Sequence, residues 1–180
     1  DGEKFAAGRS DGTIHLWNRH GQFVRTLGKS SEKAVALAFS RDGRCLASAG
    51  VTGDVRLWDV EGGREARLLE PPGGGEPHSI RHQAVALQFL QSDSKIAWTT
   101  QDGRVRVWDV STGGQTRGWA SSHPFAGTPL DGQVLAAAIS ADGQLLATAG
   151  TNNRIRIWET ASGQERPSFD TFAAPFALAF

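Results

Sequence analysis

Four tryptophans at regular intervals constrain the fold of this chain more than any other feature. Each lies next to last in a near-copy of one short phrase, at residues 13–18, 54–59, 104–109 and 154–159. The tryptophans, Trp17, Trp58, Trp108 and Trp158, are 41, 50 and 50 residues apart. Intervals of this size predict one supersecondary unit that repeats around a propeller or along a solenoid.

A second set of repeated segments predicts the other strands of each unit. Apolar runs at 35–39, 85–89, 135–139 and 176–180 are followed, in two copies, by Ser-x-Asp-Gly turns at 40–43 and 140–143. Asp-Gly between apolar runs is typical of a hairpin, because glycine accepts the positive φ of a tight turn. We expect strands near 34–40, 45–50, 54–60 and 64–70, repeated fifty and one hundred residues later, and no helix.

Four-stranded antiparallel units of this length are typical of β-propeller blades. Here the sequence resembles the WD-repeat (WD40) family over essentially its whole length. Trp58-Asp59 and Trp108-Asp109 match the signature dipeptide, and Trp17-Asn18 and Trp158-Glu159 are variants of it. The resemblance implies an all-β propeller. We expect one segment, 1–180, with repeat boundaries near 1–41, 42–91, 92–141 and 142–180.

The chain departs from the family in its polar residues. The family often carries Gly-His before the first strand, and that histidine joins Ser/Thr, Asp and Trp in a hydrogen-bonded group. No repeat here has Gly-His, and the aspartate six residues before tryptophan is present only as Asp11 and Asp102. The resemblance gives these two aspartates and the four tryptophans structural roles. We expect incomplete groups, with ring packing contributing more than polar contacts.

The two ends of the chain could be arranged in two ways. Residues 172–180 could pair with residues 3–8 and close a four-bladed ring, since propellers have about four to eight blades. Alternatively, the four repeats form an open arc of a larger propeller of about seven blades, the number usual in the family. We favour the arc. It leaves apolar blade faces and strand edges bare, which makes self-association possible.

Composition excludes several classes of protein. The net charge is zero and no apolar stretch approaches the length of a membrane helix, which argues against membrane and nucleic-acid partners. The single cysteine, Cys45, excludes a disulfide scaffold and favours a cytoplasmic location.

No pattern of residues predicts catalysis. Cys45 lies in an apolar strand without an adjacent base, so we expect little reactive thiolate. His78 and His82 are four residues apart, but in a Pro/Gly-rich loop that provides no metal-binding geometry. The acids and histidines around a channel that a propeller hydrolase or lyase needs are also lacking. We therefore predict no enzyme activity, no metal and no cofactor.

Two enlarged connections, 71–82 and 121–131, are the best candidates for a binding site. The equivalent connection of the first repeat is only 28–33. In the family these connections lie on one rim with the turns before the tryptophan strands, and partners dock there. Loops also tolerate insertions without any function. The candidate contact residues are Ile80, Arg81, His82, Phe125 and Leu130, with Arg104 and Arg154 on the shorter turns as the alternative.

The resulting functional hypothesis is a non-catalytic scaffold that docks protein or peptide partners. The alternative is a sensory or regulatory propeller of a larger protein whose catalytic domain, for example a kinase, lies elsewhere.

A column of cations accompanies the tryptophans. Arg56, Arg106 and Arg156, with His15 in the first copy, lie two residues before each tryptophan and therefore on the same strand face. We expect cation–π packing on that tryptophan, with the guanidinium reaching solvent, rather than a nucleic-acid contact. Trp98 replaces a small hydroxyl residue, and we expect it to fill space in the blade or to line the channel.

Overall fold

The computed structural model describes residues 2–30, 32–51, 53–69, 84–90, 93–101, 104–120, 133–140, 142–173 and 177–179, with backbone only for Arg104 and 116–120. These residues form fifteen β-strands. The strands are β1 Lys4–Gly8, β2 Thr13–Asn18, β3 Phe23–Lys29, β4 Ala34–Phe39, β5 Cys45–Gly50, β6 Val55–Asp59, β7 Arg64–Leu69, β8 Ala84–Leu90, β9 Lys95–Thr100, β10 Arg104–Asp109, β11 Gln115–Ala120, β12 Val134–Ile139, β13 Leu145–Gly150, β14 Arg154–Glu159 and β15 Phe169–Asp170. The described part of the chain contains no helix with the length and apolar character of a membrane span.

The strands form four antiparallel sheets, which are the blades. Blade 1 is the three-stranded sheet β1-β2-β3, and blades 2, 3 and 4 are the four-stranded sheets β4–β7, β8–β11 and β12–β15. The predicted all-β blades are confirmed, including the positions of nearly all strands. The exception is the outer strand of blade 4, expected at 164–170: Glu165 forms an isolated bridge with Trp158, and β15 itself pairs only at Phe169 and Asp170. Pro167 explains the gap, since proline has no N–H to donate to the ladder.

The turns between the first two strands of blades 2 and 4 have a glycine with positive φ, as predicted. Gly43 and Gly143 have φ of 69° and 70°. Blade 3 has Asp93 at the same place, with φ of 67°. Its carboxylate accepts hydrogen bonds from the backbone N–H of Arg41 in blade 2, at 2.9 and 2.8 Å. This contact between blades offsets part of the cost of a left-handed backbone without glycine.

The hydrophobic core lies between successive blades. Along β6, Val55 and Leu57 pack with blade 3, whereas Trp58 packs with blade 1. This is the alternation that a strand imposes on its side chains. Every inner blade is therefore apolar on both faces.

The described residues form an open arc, as predicted. Strand β1 is the edge of blade 1 and is hydrogen-bonded to β2. Leu178 and Ala179 do not pair with it; they line a cavity of about 490 Å³ together with residues of the innermost strands β4, β8 and β12. The arc therefore has two terminal blade faces.

Candidate functional site

One edge of the arc, here called the loop rim, gathers the turns before the tryptophan strands and the connections between blades. The Ser30 N–H donates to the Gly12 carbonyl at 2.9 Å, which joins the first connection to the first turn. The N–H of Val134 donates to Gln101 O, and that of Thr151 donates to Gln133 O, both at 2.9 Å. These bonds bring together the parts that the family resemblance assigns to one rim.

The opposite edge, here called the turn rim, is held by an equivalent repeated bond. In blades 2, 3 and 4, a residue following the tryptophan strand donates its N–H to a carbonyl in the turn after the innermost strand. The pairs are Val60 to Arg44 at 2.9 Å, Val110 to Ser94 at 3.0 Å and Thr160 to Gln144 at 2.9 Å. The two rims are thus defined by different backbone contacts.

Both enlarged connections lie outside the described residues, and so do the candidates Ile80, Arg81, His82, Phe125 and Leu130. Their attachment points are described. Leu69 and Ala84, which flank the first connection, are buried, at 0% and 6% exposure. Gln133, at the end of the second, is hydrogen-bonded to Thr151 of blade 4, and the next residue, Val134, is hydrogen-bonded to Gln101 of blade 3. The described residues that flank the two connections are therefore held within the blades, on the loop rim.

Arg154 lies on this rim, at the start of β14. Its Nε donates to Asp170 Oδ1 at 2.9 Å, and its side chain is 43% exposed. The hydrogen bond and charge of Asp170 raise the pKa of Arg154 above its usual value. The pair presents a cation and an anion to solvent. Only the backbone is described for Arg104, the corresponding residue of blade 3.

Asp11 closes its own turn. Its Oδ1 accepts from Thr13 Oγ1 at 2.6 Å and from the Thr13 N–H at 3.0 Å. These two hydrogen bonds lower the pKa of Asp11, so the carboxylate stays ionised. Asp102 lies outside the described residues.

The four tryptophans have three kinds of polar environment. The Nε1–H of Trp58 donates to Ser48 Oγ at 2.8 Å, and the Nε1–H of Trp158 donates to Thr148 Oγ1 at 2.9 Å. Trp98 stands at the corresponding place in blade 3, and its ring centroid is 5.6 Å from that of Trp108. Trp98 is 1% exposed, which confirms its space-filling role. In blade 1 the residue is Ala7, and Trp17 contacts the rings of His15 and Phe23.

The predicted contact of each arginine with its own tryptophan is wrong for the arginines of blades 2 to 4. Arg106 lies 5.4 Å from the Trp98 ring, not over Trp108. Arg56 donates to Glu65 Oε2 at 2.6 Å, and Arg156 lies 3.8 Å from Glu165. Arg156 is only 6% exposed, so it does not reach solvent as expected. These arginines belong to the interior of the blade stack.

A signal for these ion pairs is present in the sequence. The outer-strand residue opposite each tryptophan varies together with the cation column. It is glutamate where the arginine is ion-paired, glutamine where the arginine lies on Trp98, and phenylalanine where the cation is histidine. The four residues are Glu65, Glu165, Gln115 and Phe23.

A second contact that the sequence reasoning missed joins neighbouring blades. Arg25, on the outer strand of blade 1, donates to the Glu61 carbonyl of blade 2 at 2.7 Å. Arg67 of blade 2 donates in the same way to the Thr112 carbonyl of blade 3 at 2.5 Å. A glycine with positive φ lies two residues after Glu61 (Gly63) and directly after Thr112 (Gly113), and a Cβ on either would lie 2.8 Å from the arginine. We call each contact an arginine latch.

The thiol of Cys45 is not activated as a nucleophile. Burial raises the pKa of Cys45 to about 11, so it is a neutral thiol at physiological pH. Among the described residues, no three His, Cys, Asp or Glu side chains are grouped to hold a metal ion. The groups that are present provide hydrogen bonds, charge and apolar contact, which are the means of non-covalent recognition.

Successive four-stranded blades with a buried tryptophan define this chain as part of a β-propeller. The WD40 family model (WD domain, G-beta repeat) matches residues 21–59 and 121–159. Each matched segment ends in a tryptophan strand, β6 or β14, so two segments of the chain match the WD40 repeat in register with the repeated tryptophans. WD40 repeats are generally non-catalytic scaffolds that bind protein partners.

Two curated relatives support this assignment. Over 71 residues the chain is 34% identical to F-box-like/WD repeat-containing protein TBL1Y of Homo sapiens and to TBL1X of Mus musculus. Each alignment covers 39% of this chain and 13% of the relative. The likeness thus concerns WD repeats and a small part of each relative.

Proposed function

We propose that this chain docks a protein or peptide partner on the loop rim, through the connections 71–82 and 121–131. The observation that carries the proposal is the set of backbone hydrogen bonds that join the connections and the tryptophan-strand turns on one edge. Side chains from several blades can therefore contact one partner together. The rigid strands below reduce the entropy lost on binding.

Phe125 and Arg81 are the expected anchors of the interface. Aromatic and arginine side chains dominate the energetics of most protein interfaces. The remaining contacts of this surface come from Ile80, His82 and Leu130. The exposed Arg154–Asp170 pair lies on the same rim and offers an additional charged contact.

The alternative, a regulatory propeller within a larger protein, has one observation in its favour. The chain spans only 13% of relatives whose names combine WD repeats with an F-box-like element. WD repeats in those proteins thus accompany another element. In this alternative, the loop rim would contact a catalytic domain of the same protein, and the same residues would be involved.

Loop shortening tests the proposal. We would reduce each connection to the length of residues 28–33, identify proteins retained by the unmodified chain but lost by the variant, and measure their affinity with purified components. Phe125→Ala and Arg81→Ala should each weaken binding by at least tenfold. Arg44→Ala, on the turn rim, is the matched control and should leave the affinity unchanged. Full binding with both loops shortened would overturn the proposal.

A further inference from the structure

The blade interfaces inside the chain follow one construction. The face of a blade that carries its tryptophan covers the aliphatic face of the preceding blade. Between blades 1 and 2, Trp58 and Leu46 pack on Ile14 and Leu16. Between blades 3 and 4, Trp158 packs with Val105 and Val107 in the same way. A blade therefore has a tryptophan side and an aliphatic side, which are complementary to each other.

The tryptophan side of blade 1, which we call the head face, is uncovered. Phe5 and Phe23 on this face are 57% and 56% exposed. The ring of Phe23 is 5.4 Å from His15 and 6.3 Å from Trp17, in edge-to-face geometry. The head face is therefore an ordered aromatic surface.

The aliphatic side of blade 4, which we call the tail face, is open along its outer part. Phe169 is 58% exposed, whereas Leu69, at the same place in blade 2, is fully buried against blade 3. Ile155 and Ile157 are half-buried. Ala147 and Ala149, nearer the inner strand, are buried. The outer half of this face thus lacks the cover that blades 1 to 3 receive.

The arginine latch is also incomplete at both ends. Arg166, whose N–H donates to Ile157 O in blade 4, corresponds to Arg25 and Arg67 but pairs with Glu159 of its own blade. At the other end, the turn of blade 1 contains Gly21, with φ of 74°, and a Cβ there would have no neighbour within 4 Å. Blade 4 thus holds a latch donor, and blade 1 holds an open latch acceptor.

We propose that two copies of this chain associate head to tail, with the tail face of one copy on the head face of the other. Phe169, Ile155 and Ile157 then cover Trp17 and Phe23, and Arg166 reaches the turn ending at Gly21. This contact continues the interface already formed three times within the chain, and this continuity identifies a second copy as the occupant. Association of this heterologous kind gives closed rings or open chains of copies.

Molar mass measured by light scattering over a concentration series tests the proposal on the 180-residue chain. The unmodified chain should form species of at least two copies. Phe169→Asp on the tail face and Phe23→Asp on the head face should each give monomers, because each variant lacks one partner surface. An equimolar mixture of the two variants should restore dimers, since each retains the surface that the other lacks.

Two further variants separate the outcomes. Arg166→Ala should weaken association about fivefold to tenfold, the effect of one hydrogen bond to a carbonyl. Arg44→Asp on the turn rim should change nothing, and circular dichroism should show the same strand content for all variants. A monomeric unmodified chain would overturn the proposal. Dimers of pure Phe169→Asp would also overturn it, because they would indicate head-to-head contact.

Discussion

Trp17 and Trp58 occupy the same place in consecutive blades, yet their surroundings differ. Trp58 is 1% exposed, lies against Gly28 of blade 1 and donates a hydrogen bond to Ser48. Trp17 is only half-buried, has Ala7 at the position of Ser48 and contacts His15 and Phe23 of its own blade. The tryptophan of a WD repeat is thus a core residue only where a preceding blade covers it. The contribution of a tryptophan to stability therefore depends on the contact between two neighbouring blades.

The largest expected effect is the difference between two alanine variants. Trp58→Ala should lower the free energy of unfolding by about 3–5 kcal/mol, the usual result of emptying a large aromatic site. Trp17→Ala should cost about 1 kcal/mol or less, as is usual for substitutions at partly exposed positions. Urea denaturation in a Phe169→Asp background keeps the comparison free of self-association. Equal losses would show that blade 1 does not expose its tryptophan.

The contact between Trp58 and Gly28 should be the next most sensitive. A Cβ on Gly28 would collide with Trp58 Cζ3, so the ring leaves no room for a methyl group. Gly28→Ala should lower the free energy of unfolding by about 1–3 kcal/mol, as overpacking of a core does. Gly114→Ala is the control, because the nearest atom to its Cβ, Thr112 Oγ1, is at 3.4 Å. A neutral Gly28→Ala would mean that the two blades are less closely packed.

Removal of the hydroxyl beside Trp58 should have a smaller effect. Ser48→Ala leaves a buried indole N–H without an acceptor, which costs about 1–2 kcal/mol. The reciprocal change in blade 1, Ala7→Ser, should alter the free energy of unfolding by less than about 0.5 kcal/mol, because that face is open to water. Thermal unfolding of both variants measures the difference. If Ala7→Ser raised the free energy of unfolding by as much as Ser48→Ala lowered it, the expected difference between the two blades would be contradicted.

The fold was largely predictable from local patterns. The repeated tryptophans, the Asp-Gly turns and the apolar runs place the strands to within one or two residues, because each is a short-range signal. The shortening of β15 could also have been foreseen, since Pro167 interrupts the predicted strand. The open arc was an expectation based on the larger number of blades usual in the family.

The partners of the arginines at 56, 106 and 156 are signalled only when the four repeats are compared, and the pattern of a single strand does not identify them. A bulge between Leu57 and Trp58 shifts the pairing of β6 with β7, so that Glu65 lies opposite Trp58. A shift of one residue moves a side chain to the other face of a strand, and the sequence does not indicate where the bulge falls. The arginine latches depend on the distance between two blades, which no local pattern encodes.

Hydrogen exchange of the tryptophan indole N–H groups tests the central claim most directly. In the Phe169→Asp background, nitrogen–proton spectra assigned with single Trp→Phe variants would follow each indole after transfer to deuterated buffer. The account predicts that Trp58 and Trp158 exchange slowly, because they are buried and bonded to Ser48 and Thr148. It predicts that Trp17 exchanges fastest of the three. Protection of Trp17 equal to that of Trp58 would contradict the account, because it would place a covering blade on the head face.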